Sequence, residues 1–96
     1  MGVKELLAGR RGRILKTAAR HGARNVRVFG SVAMGRATKA SDVDFLVDMR
    51  KGKTLLDLVG LAQDLEAILN KKVDVVSSRG LSPYLRRSIV SHAIPL

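Results

Sequence analysis

The sequence predicts an α/β fold, a small mixed β-sheet packed with helices, in one domain spanning residues 1–96. Three observations predict it. Apolar residues recur at helical spacing in two long stretches, and three short runs have the character of strands. These segments follow one another in the order αβ(α)βαβα, which a compact layered structure accommodates. At 96 residues, the chain is also too short for two cores that would each fold alone.

Each element has its own justification. Val3–Arg20 forms an amphipathic helix, with Val3, Leu6, Leu7, Ile14, Leu15, Ala18 and Ala19 on one broad face and Arg10, Arg11, Arg13 and Lys16 on the other. His21-Gly22 stops it. Asn25–Phe29 is a strand, and Gly30-Ser31 makes a sharp turn into a short helical segment ending near Gly35. Ala37–Ser41 is a polar loop. Val43–Asp48 is the second strand, with Val43, Phe45 and Val47 on one face, and Arg50–Lys53 is a basic turn. Thr54 caps a helix running to about Asn70, in which Leu55, Leu58, Val59, Ala62, Leu65 and Leu69 share a face. Lys72–Val76 is the third strand. Ser82-Pro83 opens a final helix, since proline suits the first helical turn.

Composition narrows the function. The apolar share of 46% and the charged share of 27% are those of a folded globular chain. The absence of cysteine excludes a disulfide scaffold, a thiolate metal site and thiol catalysis. The longest stretch without Asp, Glu, Lys or Arg is the nine residues Ser88–Leu96, far short of a membrane span. No secretory signal is visible, so a cytoplasmic protein with no membrane partner is expected. Eighteen Lys and Arg against eight Asp and Glu give a net charge of +10, which suits an acidic or phosphate-bearing partner and equally a solvated basic surface. With only Phe29, Phe45 and Tyr84 as aromatics, stacking of single-stranded bases has little support, and nucleic acid is not expected as the primary partner. In so basic a chain, a cluster of carboxylates needs a reason.

One such cluster exists. Asp42 and Asp44 stand two apart at the start of the second strand, so their carboxylates leave the same face with Cα atoms about 6.5–7 Å apart. A hard divalent cation would offset their repulsion, and magnesium suits carboxylates, waters and substrate phosphates together. The competing reading makes one aspartate a turn cap and the other a solvated strand residue. Asp74 is a third candidate, an acid inside the apolar run Val73–Val76. It reaches the other two only if its strand pairs in the right register; otherwise it sits on an exposed edge. Gly30-Ser31 adds a turn whose backbone N–H groups and missing Cβ let a phosphate approach, with the Ser31 hydroxyl as a further donor. Alone, such a turn is often merely steric.

Taken together, Gly30-Ser31, the short helix, Asp42-Val43-Asp44 and the later Asp74 resemble the nucleotidyltransferase superfamily that includes DNA polymerase beta, in particular its minimal nucleotidyltransferase (MNT) members. The resemblance extends over nearly the whole chain, to Leu81-Ser82-Pro83 at the last helix. It implies a polymerase beta-like nucleotidyltransferase fold and transfer of a nucleoside monophosphate, AMP from ATP, to a protein acceptor. Asp42, Asp44 and Asp74 would then be catalytic and hold two magnesium ions, with Gly30 and Ser31 on the phosphates. It further implies a HEPN-type toxin as partner, with this chain as its antitoxin. One departure stands out: where the family commonly has Gly-Ser-x-Ala-Arg-Gly, Met34 replaces the arginine, and Arg36 is the nearest substitute for nucleotide binding. Met34 is also the best support for a catalytically silent interaction module, the alternative to an enzyme; a nucleic-acid-binding protein using the basic surface is the other.

The remaining polar residues are assigned plainer roles. Asp48 shares the Asp44 strand face and is structural or a helper. Asp57, Asp64 and Glu66 are solvated, His21 and His92 isolated, and Tyr84 packs near the last helix. Arg50, Lys51 and Lys53 flank the acids in sequence and either receive a triphosphate or form a solvated turn.

Overall fold

The computed structural model describes residues 2–38 and 40–96. The elements are helices α1 (Val3–Leu7) and α2 (Arg11–Arg20), strand β1 (Ala23–Phe29), the short helix α3 (Gly30–Ala33), β2 (Val43–Met49), α4 (Leu55–Leu69), β3 (Val73–Ser77), a 3-10 turn at Ser78–Gly80, α5 (Pro83–His92) and β4 (Ile94–Pro95). The sheet runs in the order β3-β2-β1-β4, with β2 and β3 parallel and both other pairs antiparallel. It is therefore mixed, as its three main strands predict.

One face of the sheet supplies the core. Val43, Phe45 and Val47 of β2 are fully buried beside Val26 and Val28 of β1, under Ile14 and Ala18 of α2 and Leu61, Leu65 and Leu69 of α4. The periodicity of these residues is what locates both helices on that face. The opposite face presents Asp44, Leu46 and Asp48 of β2, with Arg27 and Phe29 of β1 facing them across the ladder. It is only partly roofed. The helix α5 leans on β1 and α3 yet has no buried residue, and Tyr84 at its start is 86% exposed.

Apart from shifts of a residue or two at element ends, three features differ from the sequence reading. The predicted helix Val3–Arg20 is broken into α1 and α2 around Gly9, whose φ of +77° is a left-handed conformation that interrupts the helix. Strand β1 starts at Ala23 and carries an irregular register between Arg24 and Arg27, with Asn25 at φ +51°. Asparagine tolerates that backbone better than most residues. The pairing of Ile94–Pro95 with β1 is an element the sequence did not announce, since two residues carry no periodicity. By contrast, α4 ends at Leu69 with Asn70 as a left-handed cap, and Ser82 caps α5 by accepting the Leu85 N–H at 3.3 Å.

Candidate active site

The sheet brings the predicted residues to one corner. Strand β1 ends at Phe29, opposite Asp44 on the antiparallel neighbour β2. On the other side of β2, Asp44 stands level with Asp74 on the parallel strand β3. Residues level with each other in a ladder point to the same face, so the register that the sequence left open puts Asp74 beside Asp44. Asp42 immediately precedes β2.

The electrostatics of the corner are those of crowded acids. Burial raises the Asp44 pKa above the ordinary carboxylate value, and the charges of Asp74 and then Asp42 push it further the same way. Among the described residues, no side-chain hydrogen bond or ion pair ends on any of the three carboxylates. The other acids are treated differently. Asp48, on the same face as Asp44, accepts hydrogen bonds from Ser78 Oγ at 2.5 Å, Asn25 Nδ2 at 2.7 Å and Arg27 Nη2 at 2.8 Å. Burial alone would raise its pKa, but these donors and the Arg27 charge hold it below the usual value. Asp48 thus ties β1, β2 and the end of β3 together, a structural role. Asp57 accepts the Thr54 N–H at 2.7 Å at the start of α4, and Glu66 accepts the Val73 N–H at 3.0 Å. Asp64 and His21, read as solvated and isolated, in fact pair at 2.6 Å between α4 and the end of α2.

Gly30 fits this corner closely. Its φ is +72°, and a Cβ there would collide with Asp44 Oδ2. The turn into α3 therefore lies against the Asp44 carboxylate, and glycine is required on both counts. Ser31 is half-buried, and its carbonyl accepts the Arg36 N–H at 2.8 Å, closing the segment after α3. Arg36 is exposed and Met34 is 48% exposed, so the position where the family commonly has arginine faces solvent. Arg50, Lys51 and Lys53 do not belong to this corner. They follow the far end of β2, about 20 Å along the strand from Asp44 at the usual rise.

The donor set suits a hard divalent cation: three unpaired carboxylates, with no sulfur or imidazole among the acids gathered here. Among the described residues, no three such groups close around a single point as a formed metal cluster. Asp74 is exposed and its carboxylate is held by no hydrogen bond among the described residues, so its side chain can turn towards Asp44.

The comparisons with known proteins bear on this arrangement. Residues 13–96 match the family model described as a nucleotidyltransferase domain. The chain belongs to that nucleotidyltransferase family. It is 38% identical over 82 residues to a candidate protein adenylyltransferase of Methanocaldococcus jannaschii, covering 85% of this chain and 88% of that one. Among solved structures, a candidate minimal nucleotidyltransferase superposes with a TM-score of 0.86 at 52% identity, covering 96% and 94% of the two chains. A toxin–antitoxin crystal structure with AMP-PNP superposes with a TM-score of 0.78 at 25% identity, covering 90% of this chain and 71% of that one. The fold is that of the minimal nucleotidyltransferases, and the chain is a nucleotidyltransferase.

Proposed function

We propose that this nucleotidyltransferase moves AMP from ATP to a hydroxyl of a partner protein, with magnesium, as the antitoxin of a HEPN-type toxin. The observation that carries the proposal is the set of unpaired acids, with Asp44 and Asp74 level on neighbouring strands and Gly30 against Asp44. In a chain of net charge +10, three carboxylates without a cation partner among the described residues suit a ligand that brings positive charge. The adenylyltransferase relative and the AMP-PNP-bound toxin–antitoxin structure support adenylate as the group moved and a toxin as the partner.

Asp42, Asp44 and Asp74 would hold the metal ions, which when bound supply charge stabilisation to the attacking and leaving oxygens. Gly30 and Ser31 orient the β- and γ-phosphates through the backbone N–H groups of the turn and the Ser31 hydroxyl. The acceptor hydroxyl oxygen bonds to the α-phosphorus while the bond from that phosphorus to the bridging oxygen breaks, and pyrophosphate leaves with the bond electrons. Asp74, the exposed acid, takes the hydroxyl proton. Arg36, exposed beyond α3, would meet phosphate in place of the missing arginine.

The test incubates the chain with a candidate HEPN-type partner, sought in the adjacent reading frame, magnesium and α-labelled ATP. Label and one AMP mass should appear on the partner, and Asp44→Asn should remove both. Label that Asp44→Asn does not diminish refutes the site. Nucleotide binding undetectable by calorimetry, with the partner still captured, favours the second reading, a silent interaction module, for which the exposed Met34 is the specific observation.

A further inference from the structure

The end of the sheet remote from the acids carries a feature that nucleotide transfer does not use. A cavity of about 380 Å³ lies there, lined by the small residues Ala19, Gly22 and Ala23 and by Arg24, Arg50, Lys51 and Arg79. Four cations from three separate segments converge on it: the start of β1, the turn after β2 and the 3-10 turn after β3. Among the described residues, none of them pairs with a carboxylate, whereas Arg27 is taken by Asp48 and Lys53 lies 4.0 Å from Asp57. Four like charges around one concavity repel one another unless an anion shares it. The volume of the cavity leaves room for such a group.

We infer that this cavity is a second phosphate site, one that takes a polyanionic phosphate chain by charge alone. The ligand is recognised through its phosphates, since no aromatic side chain lines the cavity to stack a base. Two sources supply that chemistry, a single-stranded RNA backbone and a free polyphosphate. The inference is independent of the transfer reading, because the site lies at the opposite end of β2 from Asp44.

The experiment measures anisotropy of a fluorescein-labelled oligouridylate of about twenty nucleotides, and calorimetry with sodium tripolyphosphate, both in EDTA. If four cations each neutralise a backbone phosphate, log K falls with log salt at a slope of about −3, or roughly 50-fold between about 50 and 200 mM. Arg24→Gln/Arg50→Gln/Lys51→Gln/Arg79→Gln should bring the slope close to zero, and Arg50→Gln/Arg79→Gln should halve it, with circular dichroism unchanged. Arg86→Gln/Arg87→Gln on α5 should leave binding as it is. Oligouridylate binding that tripolyphosphate displaces only weakly identifies RNA as the source. Stoichiometric tripolyphosphate binding, lost in the fourfold variant and without RNA binding, identifies free polyphosphate. Binding of neither, or a loss of the same size in the α5 variant, overturns the inference.

Discussion

Replacing Asp44 by asparagine should make the protein more stable while stopping transfer. The substitution keeps volume and removes charge, and no hydrogen bond to Asp44 is forfeited among the described residues. Asp44 stands level with Asp74 on adjacent parallel strands, which lie about 4.8 Å apart. Two unit charges at about 5 Å repel by roughly 3 kcal/mol at an effective dielectric constant of 20, and by less than about 1 kcal/mol in water. Asp74 is exposed, so solvent screening brings the value towards the lower figure, about 1 kcal/mol. In a domain of this size that raises Tm by roughly 4–8 °C. The pH dependence has a definite sign. Because the Asp44 pKa is raised in the fold, the native state binds a proton more tightly than the unfolded chain, and stability falls as pH rises from the ordinary carboxylate range through the raised value. The gain from Asp44→Asn should therefore be full at neutral pH and vanish once the wild type is protonated below the ordinary value. Scanning calorimetry of both proteins across pH, with EDTA and then with magnesium, reads this directly; magnesium should raise the wild-type Tm and leave the variant unmoved. A variant that melts lower than wild type at pH 7 would refute the reasoning.

Other substitutions probe the neighbouring contacts. Gly30→Ala forces a left-handed backbone at a cost of about 1–2 kcal/mol and drives a methyl group into Asp44, so transfer should fall far more steeply than Tm when both are measured. Asp48→Asn keeps the shape but weakens three hydrogen bonds, at a cost of about 1–2 kcal/mol in urea unfolding at pH 7. Its pKa is lowered in the fold, so this contribution is present above the ordinary carboxylate value and is lost as pH falls through the lowered one; the two proteins should converge only in acid. Ser82→Ala removes the α5 cap, worth about 0.5–1 kcal/mol, and because α5 buries no residue the effect should show as faster amide exchange within α5, with little change in global unfolding.

Much of this architecture was legible because the core writes a period into the chain. Val43, Phe45 and Val47 alternate, Leu61, Leu65 and Leu69 recur at four, and both patterns lead to the observed buried face. Thr54, Asn70 and Ser82-Pro83 mark helix ends through local chemistry, which sequence carries directly. Register is a different kind of information. Nothing near Asp74 says that it will stand level with Asp44 rather than Val43; that is fixed by how β3 and α4 pack, some thirty residues away in the chain. The same holds for Asp48, whose partners Asn25, Arg27 and Ser78 arrive from two other segments, and for His21 with Asp64. Of the two readings open for Arg50 and Lys51, the structure favours the turn over the triphosphate contact, because sequence proximity to Asp44 hides the length of a strand, which carries them to the other end of the sheet.

The distribution of charge gives the two ends of the sheet opposite problems. At one end Asp42, Asp44 and Asp74 crowd together with no cation partner among the described residues, although the chain carries ten more positive than negative charges. At the other, Arg24, Arg50, Lys51 and Arg79 line one cavity with no carboxylate partner among the described residues. Folding alone would be better served by mixing them, since a pair of opposite charges at either end would relieve both repulsions. Asp48 with Arg27 shows that the same strands can build such a pair. The separation therefore runs against stability, and on the two proposals above a cation at the acids and phosphate at the arginines would compensate it. Relieving either end by mutation should stabilise the empty protein and weaken its hold on the matching ligand.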